Sequence, residues 1–239
     1  MTPSLDNAIY AVDLVGTASF AFSGALRAAD RRPDLVGMLI LAAATAAGGS
    51  VFRDVVLNRD VAMLRDGGYP AVILLATVLT FFFPSSVSRR ERLFKYSDAI
   101  GLGIFSAFTA SAAWQTPGIH PLAVLFVATA AGCAGGVVRD LIIRKDTLVL
   151  TNELYVTPMI VGTAALMAVE TLGGGRMAGF FTALGVTTLI RLLAIRFDWR
   201  LPRMTAGGSA PAGGEPGARV DGASPDLASC TPDCPRRDP

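Results

Sequence analysis

The sequence predicts an all-α integral membrane protein of seven transmembrane helices, an inverted repeat of two three-helix units plus a seventh helix. Three observations predict it. The chain is unusually apolar, its apolar residues fall into seven stretches near the length of a bilayer span, and one glycine-rich motif ending in Arg-Asp occurs twice. Of 239 residues, 52% are hydrophobic and 17% charged, with a mean hydropathy of +0.50. One small soluble core cannot absorb that much apolar side chain, and a bilayer is the natural solvent for the excess.

The first stretch runs from Ile9 to Leu26. It carries Asp13 and lacks both a basic leader and a small-residue cleavage site, so it reads as a helix and not as a removable signal peptide. The second runs from Leu35 to Phe52 and the third, shorter, from Tyr69 to Phe83, where Pro84 ends it. The fourth, Ala99 to Trp114, reaches span length only with Asp98 and Gln115 at the interfaces. Leu122 to Val138, Tyr155 to Leu172 and Met177 to Ile195 complete the set. The units are then residues 1–96, residues 97–175 and a seventh helix over 176–201. After Pro202 the composition turns to Gly, Pro, Ala, Ser and Asp without apolar periodicity, which predicts a disordered cytoplasmic tail over 202–239.

Basic residues retained on the cytoplasmic side set the orientation. Arg27, Arg31 and Arg32, then Arg89, Arg90, Arg92 and Lys95, then Arg139, Arg144 and Lys145 fall in alternate connections, and Arg196, Arg200 and Arg203 follow the last span. The other connections hold only Arg53, Arg59, Arg65 and Arg176. The bias predicts an external N-terminus and a cytoplasmic C-terminus in a plasma, or inner, membrane.

Other chemistries find no support. A formal charge of +2 with no basic, aromatic-interleaved stretch excludes a nucleic-acid partner. Cys133 lies in an apolar segment, while Cys230 and Cys234 in the tail read as reduced thiols, so neither a disulfide framework nor a metal site is expected. His120, beside Pro117 and Pro121, reads as a solvated loop residue. No His, Cys or Ser constellation with catalytic spacing occurs in the spans, so no enzyme and no cofactor is expected.

The repeat carries the functional argument. Aligning Arg53 with Arg139 also aligns Gly49 with Gly135, Ser50 with Gly136, Asp54 with Asp140, Arg59 with Lys145 and Asp60 with Asp146. One residue of slip upstream pairs Asp13 with Asp98, Gly16 with Gly101 and Phe20 with Phe105. Three spans per unit, an odd number, force the second copy to enter the membrane from the opposite side. Gly48-Gly49 and Gly135-Gly136 permit either a kinked, locally unwound helix or close helix packing. The Arg-Asp after each pair favours an ion pathway, because ionisable groups near hydrocarbon are costly.

Inverted symmetry would set Asp13 and Arg53 near the outer face and Asp98 and Arg139 near the inner face, each pair able to form an ion bridge. Asp98, one residue after Ser97, also suits a helix N-terminus. Carbonyls freed at the glycines, with the hydroxyls of Ser23, Thr45, Ser50 and Thr109, would coordinate cations. Arg191, a turn from the inner end of its span, is expected to snorkel, and Glu170 lies near the outer end of its own. Phe81-Phe82-Phe83 and Phe180-Phe181 read as lipid-facing or inter-helix packing, and Gly16, Ser19, Ser23 and Gly24 as a small-residue contact face.

With its duplicated motif at the ends of helices two and five, the stretch from about Asp6 to Ile195 resembles the prokaryotic members of the trimeric intracellular cation channel family. The resemblance implies a homotrimer in which each protomer has its own pore, between helices two and five, lined near kinks at Gly48, Gly49, Gly135 and Gly136. It implies conduction of monovalent cations, potassium or sodium and chiefly potassium, with membrane lipids as the other partners. The basic lipid-binding motif of the animal relatives is not recognisable. Such domains have also carried a label suggesting glycine transport, so a secondary transporter of a small zwitterion is the alternative.

Overall fold

The computed structural model describes residues 3–83, 87–145, 147–148 and 154–199. These fold as one compact helical unit, with no strand among the described residues. Among the described residues, the helices longer than a turn are α1 (Pro3–Ala28), α2 (Leu35–Val56), α3 (Gly68–Phe82), α4 (Val87–Trp114), α5 (Pro121–Ile142), α6 (Thr157–Thr171) and α7 (Gly175–Phe197). A 3-10 turn follows α1 and a single helical turn, Ala62–Arg65, precedes α3. The expected tail, with Cys230 and Cys234, lies outside the described residues.

Local chemistry sets the ends. Asp34 caps α2, its Oδ1 accepting from the Gly37 amide at 2.7 Å. Pro121 opens α5, where its missing N–H costs nothing, and His120 is the N-cap, its Nδ1 accepting from Leu122 N–H at 3.2 Å. That histidine therefore has a structural task, beyond the solvated loop position expected of it. Arg32, Asn58, Arg144 and Asp198, all at φ between 50° and 53°, turn the chain just past helix ends.

Four helices, α1, α2, α5 and α7, are long and apolar enough to cross a membrane by length and composition. At 15 residues, α3 and α6 are shorter, about 22 Å at ~1.5 Å per residue. α4 is longer than expected, beginning at Val87 with the charged run through Lys95 inside the helix. Asp98 is consequently mid-helix, which overturns the N-terminal reading of that residue.

α1 and α4 meet through their aligned phenylalanines, Phe20 and Phe105, stacked with ring centroids 5.0 Å apart. The flanking glycines make room: a methyl on Gly16 would lie 2.6 Å from the Ile104 side chain, and one on Gly101 would meet the Phe20 ring. Gly24 faces Thr45 and Leu41 of α2, so the small-residue face of α1 serves contacts within the protomer. Phe82 and Phe83 are exposed, whereas Phe180 is buried edge-on to Phe108.

Candidate functional site

α2 and α5 cross at their glycines. A methyl on Gly48 would lie 2.8 Å from Gly135 Cα, one on Gly49 2.7 Å from the Ala131 carbonyl oxygen, and one on Gly135 would meet the Thr45 carbonyl. Contacts descend along α5 as they ascend along α2, so the two helices run antiparallel. Both are continuous α-helix through these positions. The expected unwinding, with freed carbonyls, is absent from this conformation: the glycines let two backbones touch, and every helical turn is kept. The hydroxyls follow suit, with Thr45, Ser50 and Thr109 donating to carbonyls three or four residues back in their own helices.

Four or five residues beyond the crossing, about 6–8 Å at ~1.5 Å per residue, each helix carries its arginine. Because the helices are antiparallel, Arg53 and Arg139 stand on opposite sides of the crossing. The Arg-Asp geometry is the same at both. Arg53 Nε donates to Asp54 Oδ1 at 2.7 Å and Arg139 Nε to Asp140 Oδ1 at 2.9 Å. The other carboxylate oxygens accept from Ala62 N–H and Leu148 N–H, each at 3.2 Å. Asp54 and Asp140 therefore hold the guanidinium sideways and tie down the following loop together.

At the Arg53 end, Nη1 lies 3.7 Å from Asp13 Oδ1, a loose pair, and the Tyr69 hydroxyl donates to Asp13 Oδ2 at 2.6 Å. Both charges line a cavity of about 260 Å³, shared with Asp54, Arg59, Asp60 and Arg176. At the Arg139 end the contacts are tighter. Arg139 Nη1 donates to Asp98 Oδ1 at 2.7 Å and to the Ser23 hydroxyl at 2.8 Å, and both charges are fully buried. Tyr155 covers this cluster, its hydroxyl against Gly136. Asp98 Oδ2, Arg139 Nη2 and Tyr155 OH are buried without a hydrogen-bond partner.

Sequence reasoning missed both tyrosines. The signal was available, since the offset of 86 that aligns Arg53 with Arg139 also aligns Tyr69 with Tyr155. It misjudged Arg191, which does not snorkel: the residue is 2% exposed, its guanidinium 4.7 Å from the Tyr155 ring centroid and its Nη1 donating to the Leu154 carbonyl at 3.4 Å. Glu170 accepts from Gln115 Nε2 at 2.7 Å, joining the ends of α4 and α6.

Comparison with known proteins agrees with this fold and with the duplication. The sequence profile of the family described as Glycine transporter matches twice, at residues 10–85 and 95–171, together well over half the chain. A UPF0126 membrane protein of Vibrio cholerae is 33% identical over 199 residues, covering 81% of this chain and 82% of its own length. The UPF0126 inner membrane protein YadS of Escherichia coli is 34% identical over 204 residues, covering 81% and 95%. Among solved structures, a prokaryotic TRIC channel in 0.5 M KCl superposes with a TM-score of 0.76 at 24% identity, over 81% of this chain and 98% of that one. The TRIC trimeric intracellular cation channel orthologue from Rhodobacter sphaeroides gives 0.75 at 30% identity, over 80% and 99%. Twofold profile match, relatives and fold agree, and the chain belongs to the prokaryotic trimeric intracellular cation channel family of helical membrane proteins.

Proposed function

We propose that this chain is a monovalent cation channel, selective chiefly for potassium, with one pore in each protomer of a homotrimer, between α2 and α5. One observation carries the reading: an antiparallel glycine crossing with a buried Arg-Asp cluster on either side. Charges of that kind are costly in a bilayer protein and mark pathways for ions. The solved neighbours, named as cation channels, support the same reading.

With the two helices in contact at the glycines, the pathway is closed. Conduction requires α2 and α5 to part at the glycines, whose contact rests on van der Waals packing of small residues and breaks without exposing an apolar core. Asp13, Asp54 and Asp60 concentrate cations in the vestibule, and the arginines limit that attraction and hold the ends shut. Thr45, Ser50 and Thr109 donate their protons to carbonyls, which leaves hydroxyl lone pairs for a passing cation. Ser23 bonds Arg139 until the cluster opens. The halves are α1–α3 and α4–α6, their boundary falling before Val87 because α4 runs unbroken through residue 96; they insert in opposite senses, and the antiparallel crossing supports this. The N-terminus lies outside, because Arg27, Arg31, Arg90 and Lys145 gather at the Arg139 end. The reading needs no cofactor and no catalytic step.

Purified protein in a planar bilayer under a potassium gradient should show discrete single-channel currents that reverse near the potassium equilibrium potential. A secondary transporter of a small zwitterion such as glycine is the second reading, favoured by the profile's description and by the mixed charge of the vestibule. Slow, saturable glycine uptake without discrete currents would establish it and end the channel reading.

A further inference from the structure

The offset of 85 that pairs Asp13 with Asp98 also pairs Ile9 with Phe94. Both residues line cavities at the ends of the crossing, Ile9 beside Arg53 and Phe94 in a second cavity of about 200 Å³ with Arg27, Asp30, Arg90, Glu91 and Lys145. At the first end Asp13 and Arg53 themselves line the cavity. At the second neither Asp98 nor Arg139 does. Phe94 touches both sides of that boundary: its ring centroid lies 4.7 Å from the Arg27 guanidinium, in the cavity wall, and 4.6 Å from that of the fully buried Arg139.

We infer that Phe94 is the seal that separates the charged cavity from the Arg139–Asp98 cluster, and so the positioning residue that keeps this end of the pathway dry. An aromatic ring suits the task. Its edge excludes water, while its faces attract the two guanidiniums that would otherwise draw water in. It also gives Arg27, whose Nε is buried without a hydrogen-bond partner, a neighbour that accepts positive charge. Ile9 has neither the reach nor the π-face, which accounts for the open cavity at the other end. The inference concerns the gate of the channel proposed above and rests on that reading for its meaning, but its test does not require conduction.

Cys133 supplies the reporter. It is buried, lies on α5 six residues before Arg139, and belongs to the same core cluster as Phe105 and Tyr155. In full-length protein with Cys230 and Cys234 changed to Ser, a cationic methanethiosulfonate reagent should leave Cys133 unmodified in the parent over minutes. Phe94→Ala should raise the modification rate at least tenfold, and Phe94→Ile by an intermediate factor. Leu166→Ala, a buried truncation in the separate cluster around Phe180, controls for general loosening and should change nothing. An unchanged rate in well-folded Phe94→Ala or Phe94→Ile protein, judged by its elution profile, overturns the inference, as does an equal rise in Leu166→Ala. Modification without currents keeps the seal and removes the channel. Currents in Phe94→Ala with Cys133 still protected remove the seal and keep the channel.

Discussion

The two Arg-Asp clusters share a backbone and differ in their surroundings. Each arginine is clamped by the aspartate that follows it, and each aspartate fixes an amide eight residues on. Yet the Arg53–Asp13 pair is 3.7 Å apart and borders a cavity, whereas Arg139–Asp98 is 2.7 Å apart and fully buried. The difference comes from a few aligned side chains. Phe108 stands 5.9 Å from Arg53 where Ser23 hydrogen-bonds Arg139. Tyr69 binds its aspartate, and Tyr155 lies across the cluster without binding Asp98. One scaffold thus supports a cluster that borders a cavity and one that is fully enclosed; under the proposed function the first attracts ions and the second bars them, since burial makes the same charges far more strongly coupled.

The largest expected effect follows from that contrast. Arg139→Ala strands Asp98 and Asp140 in the interior, a loss of about 3–5 kcal/mol, and should lower the thermal midpoint of the purified protein by about 10 °C or more. Arg53→Ala leaves its carboxylates at a cavity that admits water, and its midpoint should fall by less than half as much. In bilayers Arg139→Ala should also change the open probability. Equal thermal losses would erase the distinction between the ends, and unchanged gating would remove Arg139 from the mechanism.

A smaller effect separates the two outer aspartates. Asp13 faces the vestibule, so Asp13→Asn should roughly halve single-channel conductance at about 0.05 M KCl and leave it unchanged near 1 M, where the screening length is only ~3 Å. Asp98 is fully buried, and if Phe94 seals its cluster Asp98→Asn should produce no salt-dependent loss. Should Asp98→Asn show the same salt dependence as Asp13→Asn, the Arg139 end is wet as well.

Much of this was legible because duplication writes one constraint twice. The Arg53/Arg139 alignment located both clusters, and the pairing of Asp13 with Asp98 supplied their partners. The state of the glycines was not legible: a Gly-Gly pair permits both unwinding and close approach, and only the partner backbone, here Gly135 against Gly48 and Thr45, decides for contact. Nor was the burial of Arg191. Distance to a helix end sets how far a side chain must snorkel, but Tyr155, brought by the bend that precedes α6, gave its guanidinium a nearer partner. The length of α4 was hidden because its first turns are charged, and hydropathy reads a spanning helix only where it is apolar.

The smallest effect lies on the loop beside the open end, and it carries a pH sign. Hydrogen bonding from the Tyr10 phenol, and then from the Gly68 amide at 2.8 Å, holds the Asp66 carboxyl below the usual carboxylate range. A depressed folded-state pKa contributes stability that is present above the unfolded value, about 3.9 for Asp, and is lost as pH falls through the folded one. Tyr10→Phe removes the larger cause, so that contribution should vanish at a higher pH than in the parent. Asp66 is partly exposed, and solvent screening keeps the difference in thermal midpoint to no more than about 1 °C between pH ~5 and ~3. Tyr10 also stacks edge-on against Tyr69, the residue that holds Asp13. If Tyr10→Phe instead shifted the low-salt conductance as much as Asp13→Asn, the tyrosine pair would belong to the vestibule's charge control and the open end would extend to this loop.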